Sequence, residues 1–414
     1  MLTIPFFKPS IGAAEINEIV DILKSGFLST GSRTKYFEHE FAHYVNQKHG
    51  IAVNSGTAAL HLALEAIGLK AGQAVVVPTM AFAAIAGVVR HLGARPIFVD
   101  CRIDDYNLDI EDAERKIQSA LIVGLSVVAI IPVHYGGQIA DVAGVQMLAR
   151  RYRLKIVADA AHCCPAHFRK TELDDWQNVG ATADISCHSF SANQTITTGE
   201  GGIACTENDA YASRMRLMSR HGIPRRESNG CTGNGSWKQG IVAPGFNYSM
   251  SDLAAAMGIH QLHRADPLHQ RRGELAVLYR ESLAEVEEIM LPQTQPNRNH
   301  SWHLFVIRLK LDRLQIDRDQ FVAELARSGI ATFVHWLPLH MHPYYRATYG
   351  YAPEDLPVAR RVYLGMITLP LYPEMTEEQV RYVGDSIKDI ITRNRATVLF
   401  GHGQDQLLLT KKGA

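Results

Sequence analysis

The chain has 414 residues, 46% of them hydrophobic and 20% charged, with Lys plus Arg and Asp plus Glu both at 42 and a formal charge of zero. That is a globular composition, long enough for one large core and a smaller second one. The charge balance excludes the basic stripe of a nucleic-acid groove and the cationic face of a protein held on an anionic membrane.

The opening MLTIPFFKPS lacks the basic-then-apolar build of a signal peptide. The most apolar run, ALIVGLSVVAIIPV, is too short to span a bilayer and carries Gly, Ser and Pro. A soluble, cytoplasmic protein is therefore expected. In chain order, GIAVNS reads as a strand, GTAALHLALEAIGL as a helix, AVVVPT as a strand, FAAIAGVVRHLG as a helix and RPIFVD as a strand. VVAIIPV, VAGVQMLARRYR and KIVADA then read as strand, helix and strand. Val/Ile-rich strands separated by helices imply a mostly parallel sheet covered on both faces.

Past about residue 250 the pattern changes. SDLAAAMGIHQLHRADPLHQRRGELAVLYRESLAEV has the period of one long helix. HLFVIRL and IATFVHWL read as strands of a smaller α+β unit. Thr376 is placed to cap a closing helix, TEEQVRYVGDSIKDII. The expected organisation is a large α/β domain over 1–250 with an N-terminal helical segment, a small α+β domain over 251–400, and a loose tail over 401–414. Six cysteines, Cys101, Cys163, Cys164, Cys187, Cys205 and Cys231, form no C-x-x-C pair, which argues for reduced thiols and against zinc.

The polar clusters fall at strand ends, where such sheets carry their chemistry. NSGT, with Gly56 and Thr57 opening a helix, suits a phosphate on free N–H groups. Phe82 sits at the next strand-to-helix turn, where an aromatic ring can stack on a planar ligand. Asp159 ends an apolar strand, where a carboxylate needs a cation or a protonated ring nitrogen opposite it. His162 follows three residues on. Ser189 opens SFSANQTITTGEGG, whose glycines allow a tight turn around a ligand. Singly, each has an ordinary reading as a cap, a core ring or a turn. In this order they describe a phosphate nest, a stacking ring, an acid for a ring nitrogen and a second phosphate contact, the set that pyridoxal phosphate requires.

On these motifs, with SGFLSTGSRTKYFEHEFAHYV, GFNYSMSDLAAAMG and LPLYPEMTEEQVRYV, the chain resembles the DegT/DnrJ/EryC1/StrS family of fold-type I pyridoxal-phosphate sugar aminotransferases over nearly its whole length. The resemblance implies a seven-stranded-type, mostly parallel sheet and pyridoxal 5′-phosphate held by Gly56, Thr57, Phe82, Asp159, His162 and Ser189. It also implies a homodimer with shared active sites, in which Asn247 reaches the neighbouring subunit's phosphate. The implied reaction moves an amino group, usually from glutamate, to a keto sugar nucleotide in polysaccharide or antibiotic sugar biosynthesis. His188, Arg220 and His335 are candidate sugar-nucleotide contacts, and Tyr135 a further pocket candidate. No metal is expected: His335, His340 and His342 match no common site spacing, and Pro338 interrupts them.

The sequence departs from the family at Gln194, where members carry the Schiff-base lysine. A carboxamide has no nucleophilic amine and no useful pKa. The nearest lysines in sequence, Lys170 and Lys238, are off the expected turn. The cofactor is then bound non-covalently, or as an external aldimine with an amino-sugar product. Three explanations stay open: an engineered change that traps such a product, a natural lysine-less relative such as a sugar dehydratase, or a non-catalytic cofactor- or sugar-nucleotide-binding regulator. No appended helix-turn-helix or basic arm accompanies the last.

Overall fold

The computed structural model describes residues 2–224 and 240–396; the expected tail over 401–414, together with Cys231 and Lys238, lies outside the described residues. Seven strands form the main sheet: β1 (His49–Val53), β2 (Ala74–Pro78), β3 (Arg95–Val99), β4 (Val127–Ile130), β5 (Lys155–Asp159), β8 (Ile185–Ser189) and β9 (Gly202–Thr206). Their order is β1-β9-β8-β5-β4-β2-β3. Only β9 runs against its neighbours, so β1, β2, β5 and β8 all end at one edge. The two short strands that intervene in sequence, β6 (His167–Phe168) and β7 (Gln177–Asn178), make a separate small sheet with β11 (Arg298–Asn299).

Side chains alternate across the pleat and bury both faces. Val75 and Val77 of β2 join the core beneath α3 (Gly56–Ala66), α4 (Ala83–His91) and α7 (Asp209–Met218). Val76 joins Ile97, Ile130 and Ile156 beneath α5 (Ile110–Ile122) and α6 (Val142–Tyr152). Over β1, β8 and β9 the cover is different: Phe37 and Phe41 of α2 (Ser32–Tyr44) meet Ile259 and Leu262 of α8 (Asp252–His263) around Phe190. Helix α1 (Ala13–Ser25) packs on α8. Asp252, buried at the start of α8, accepts from the amides of Gly31 (2.7 Å) and Thr34 (2.9 Å) and so caps α2 from a distant part of the chain.

The expected single long helix after residue 251 is two: α8, and α9 (Ala265–Leu283), with the break at Arg264. Pro267 explains it, because proline lacks an N–H and its ring crowds the carbonyl four residues back, at His263. Helix α9 and α13 (Glu377–Asn394) back a second sheet of β10 (Ile289–Met290), β12 (Phe305–Leu309) and β13 (Met366–Leu369). Thr376 caps α13 as expected, accepting from Gln379 N at 3.2 Å while Gln379 Oε1 takes Thr376 N–H at 3.0 Å. IATFVHWL is not a full strand. It touches β13 through one residue pair, Phe333 with Thr368, and Ile330 bridges only to Ile4. Of the remaining helices, α10 (Arg318–Arg327) packs on this unit, α11 (Pro343–Tyr349) sets Tyr345 against Phe98 of β3, and α12 (Pro357–Gly365) has its first amides accepted by Asp100, just after β3.

Phe190 is fully buried between Phe37 and Phe41, with ring centroids 5.3 Å and 5.1 Å away. Phe190→Ala should cost about 3–5 kcal/mol in chemical denaturation; a loss under about 1 kcal/mol would contradict its role as the anchor of the loop that follows.

Candidate active site

Four turns at the carboxyl edge of the sheet build the site. After β1, Ser55 caps α3 by accepting from Ala58 N at 3.1 Å, which leaves the amides of Gly56 and Thr57 directed off the helix end. Gly56 sits hard against the end of β8: a side chain there would place Cβ 2.7 Å from Ser189 Cβ. Ser189 pairs with Gly202 across β8 and β9, and Gly202 in turn lies against the Ser55–Gly56 backbone with no room for a Cβ. The Ser189 hydroxyl makes no hydrogen bond among the described residues, and Thr57 is exposed beside it. Two free amides at a helix N-terminus and two hydroxyls form an anion cradle.

Asp159 ends β5, next to β8, half-buried and without a cationic partner among the described residues. Burial pushes its carboxyl up to about 6, against the single amide of Ala161 that donates to Oδ1 at 2.9 Å. His162 is buried, and its Nδ1 accepts the Gly136 N–H at 3.1 Å. That bond fixes the neutral tautomer with the proton on Nε2, and burial holds the ring neutral by lowering its pKa to about 4. His162 therefore presents a donor, suited to an oxyanion on a ring. Phe82, at the start of α4, is 55% exposed rather than core. Its ring lies 5.8 Å from Trp336, and Trp336 lies 5.6 Å from His162, nearly parallel to it. Phe82, Trp336 and His162 form a wall linked ring to ring, and Gly56 packs against Ser189 at the strand ends beside Asp159.

The loop from Phe190 to Gly202 closes it. Phe190 N–H donates to Gly201 O (2.9 Å), and Phe190 O accepts from Thr198 N (2.9 Å) and Thr197 Oγ1 (3.1 Å). Gly199 adopts φ +79°, a conformation glycine permits. Within this frame Gln194 closes a turn on Ser191 O at 3.0 Å, and its Oε1 is buried with no hydrogen-bond partner.

Other candidates lie elsewhere. His188 points to the opposite face of β8 from Ser189, edge-on to Phe41 at 5.0 Å, buried and kept neutral with its pKa pushed down to about 3; it is a packing residue, as alternation along a strand requires. His335 is buried too, bonded through Nδ1 to Thr368 Oγ1 at 2.9 Å among Phe6, Phe333 and Trp336, and Tyr135 donates its hydroxyl to the His335 carbonyl from within the core. Asn247 is exposed and Arg220 half-buried; the two bridge through their backbones, beside Asn54, whose amide donates to Asn247 O at 3.3 Å. His340 bonds Thr79 and His342 bonds the Leu337 carbonyl, so the three histidines do not converge. Among the described residues no His, Cys, Asp or Glu group forms a metal site.

Two wall residues escaped sequence reasoning: Trp336, which bridges Phe82 and His162, and His303, which stacks on the other side of His162 at 4.3 Å. Trp336 stood in a stretch where the histidines drew notice, and His303 preceded an unremarkable strand.

The donor set fits a phosphorylated pyridine aldehyde: an anion cradle that a Cβ at Gly56 would fill, an exposed ring, and a carboxylate that burial leaves wanting a cation. Sheet order and site together define a fold-type I pyridoxal-phosphate aminotransferase scaffold. The chain belongs to the DegT/DnrJ/EryC1/StrS aminotransferase family, whose profile matches residues 9–388. It is 38% identical over 392 residues to the uncharacterized protein MJ1066 of Methanocaldococcus jannaschii, covering 95% of this chain and 98% of that one. Identity to the spore coat polysaccharide biosynthesis protein SpsC of Bacillus subtilis is 36% over 389 residues, with 94% and 97% covered. Among solved structures, the pyridoxal-phosphate form of Streptococcus pneumoniae Spr1654, described as a sugar aminotransferase, superposes with a TM-score of 0.85 at 30% identity, covering 95% of this chain and 99% of that one. No helix among the described residues is long and apolar enough to cross a membrane.

A carboxyl raised above its ordinary value binds its proton more tightly in the folded state, so the stability it costs is absent below about pH 4 and grows as pH rises toward 6. Asp159→Asn should therefore raise the melting temperature of the cofactor-free protein at pH 7, by an amount matching about 3 kcal/mol, and leave it nearly unchanged at pH 4. The same variant should weaken pyridoxal-phosphate binding measured by equilibrium dialysis. Unchanged melting at pH 7 with unchanged binding would remove Asp159 from the site.

Proposed function

We propose that this chain binds pyridoxal 5′-phosphate on the wall just described and carries the scaffold of an aminotransferase that moves an amino group, usually from glutamate, to a keto sugar nucleotide, with Gln194 in place of the Schiff-base lysine. The observation that carries the reading is Asp159, a half-buried carboxylate at a strand end with no cation facing it. A protonated pyridine nitrogen supplies that cation.

Gly56, Thr57 and Ser189 would hold the phosphate, Phe82 one face of the ring, Asp159 its nitrogen, and His162, through Nε2–H, its 3-oxygen. Bound there, the cofactor supplies an electron sink for charge developing on the carbon next to the transferred nitrogen. His162 donates and does not accept, because the Gly136 amide occupies Nδ1. Gln194 holds no movable proton, so it neither anchors the cofactor covalently nor shuttles a proton. The cofactor is retained by phosphate, stacking and ring-nitrogen contacts alone. Trp336, between Phe82 and His162, gives the sugar an aromatic surface. A homodimer is supported by an exposed apolar stripe along α1 and its end, Ile16, Val20, Leu23 and Phe27, at helical spacing.

Two outcomes follow. Borohydride treatment of the cofactor-loaded chain should fix no pyridoxyl group at residue 194 or on any lysine, whereas Gln194→Lys should acquire one at residue 194, readable by peptide mass. The same substitution should raise transamination of keto sugar nucleotides by at least about 100-fold. A lysine adduct in the unaltered chain would contradict the reading of position 194. A Gln194→Lys protein that fixes the cofactor and still transaminates no keto sugar nucleotide would favour the dehydratase-like or regulatory alternatives.

A further inference from the structure

His162 is held from outside the large sheet. Its ring is the middle of three nearly parallel rings, with His303 4.3 Å away at 21° and Trp336 5.6 Å away at 23°. His303 belongs to residues 300–304, which run from β11 into β12 of the second sheet. That segment is bonded to the turn after β4 and to the loop after β5. Ser301 N–H donates to Gly137 O at 2.9 Å, Leu304 N–H donates to Gly136 O at 3.0 Å, and the Ser301 hydroxyl donates to the His162 carbonyl. Gly136 and Gly137 both adopt left-handed conformations, φ +63° and +101°, and a Cβ on Gly137 would overlap Ser301 Oγ. The same turn presents the Gly136 N–H to His162 Nδ1 at 3.1 Å. The His303 ring is buried, and its Nδ1 is sealed without a hydrogen-bond partner, so main chain and packing place it. Burial, with His162, Arg272, His335 and His300 around it, keeps that ring neutral.

We propose that His303 and Ser301 are positioning residues for His162: the stacked ring sets the plane of the imidazole and the hydroxyl sets its main chain, so that Nδ1 meets the Gly136 amide and Nε2–H is left for the ligand. That the ligand atom is the cofactor's 3-oxygen rests on the function proposed above. The torsion that turns a histidine ring is broad, so one hydrogen bond at Nδ1 leaves the ring plane loosely set. Parallel rings on both faces narrow it. The donor is thus assembled from three places: an imidazole from the loop after β5, an amide from the turn after β4, and a ring and a hydroxyl from the approach to β12. Ser301 and His303 both act through His162. A second proton on His162 would set an Nδ1–H against the Gly136 N–H, so the arrangement fits only the neutral ring.

Ring-nitrogen NMR of the cofactor-free chain, labelled in histidine, tests the positioning by itself. Between about pH 6 and pH 8, His162 should show one tautomer, with Nε2 protonated and Nδ1 hydrogen-bonded. His303→Leu, which fills the space without a parallel ring, and Ser301→Ala should both leave Nδ1 exchanging between bonded and unbonded forms. His303→Phe, which restores a ring, should recover the parent signature. An unchanged signature in both His303→Leu and Ser301→Ala, whatever their melting temperatures, overturns the proposal, and so does a His303→Phe protein that behaves like His303→Leu. Equilibrium dialysis of pyridoxal phosphate at pH 7 reads the consequence. Affinity should fall about 5- to 10-fold in His303→Leu and Ser301→Ala and stay within about twofold of the parent in His303→Phe. The analogue that lacks the 3-oxygen should bind all four proteins alike. Equal losses for both compounds overturn an effect exerted through His162. A parent chain that binds both compounds equally, or neither, overturns the function proposed for His162, and the ring-nitrogen signature still decides whether His303 and Ser301 set its ring.

Discussion

A carboxylate at the end of β5 with nothing cationic opposite it is the constraint around which the site is arranged. The protein places Asp159 where water is scarce, gives it one amide, and accepts a destabilising term in the cofactor-free state. Structural carboxylates elsewhere in the chain are treated differently. Asp252 is more deeply buried and takes three main-chain amides and a hydroxyl; Asp100 takes amides from Cys101, Val358 and Ala359. Burial with satisfaction holds the fold together, and burial without it marks a place where binding energy is stored for a ligand.

Around that acid, backbone packing does most of the positioning. Gly56 and Gly202 let β1, β8 and β9 converge until the amides of α3 and the hydroxyl of Ser189 share one space. Phe190 pins the loop that carries Gln194, and Thr197 and Thr198 fold it back on the Phe190 carbonyl. The parts that recognise a phosphate and a ring are thereby independent of residue 194.

Much of this was legible before any coordinates. Continuous Val/Ile runs separated by amphipathic helices specify a two-faced parallel sheet, and the polar turns between them fall at its carboxyl edge by topology alone. Phe82, Asp159, His162 and Ser189 were proposed on that basis, and the structure places Phe82, Asp159 and Ser189 at those turns. What was not legible depends on facing rather than spacing. His188 and Ser189 are neighbours in sequence and sit on opposite faces of β8. His335 carried the chemical interest, yet its neighbour Trp336 reaches the wall. His303 stacks on His162 from the approach to β12, and no periodicity relates the two. The long helix was misjudged for a local reason, because Pro267 breaks a pattern whose hydrophobic period continues through it.

The central claim is that these strand ends hold pyridoxal phosphate without a covalent anchor. A crystal structure of the chain grown with pyridoxal phosphate tests it most directly. The account predicts the phosphate on the amides of Gly56 and Thr57 and the hydroxyl of Ser189, the ring under Phe82, its nitrogen against Asp159, and no continuous density to Gln194. Cofactor bound away from Asp159, or joined covalently to a protein side chain, would contradict it.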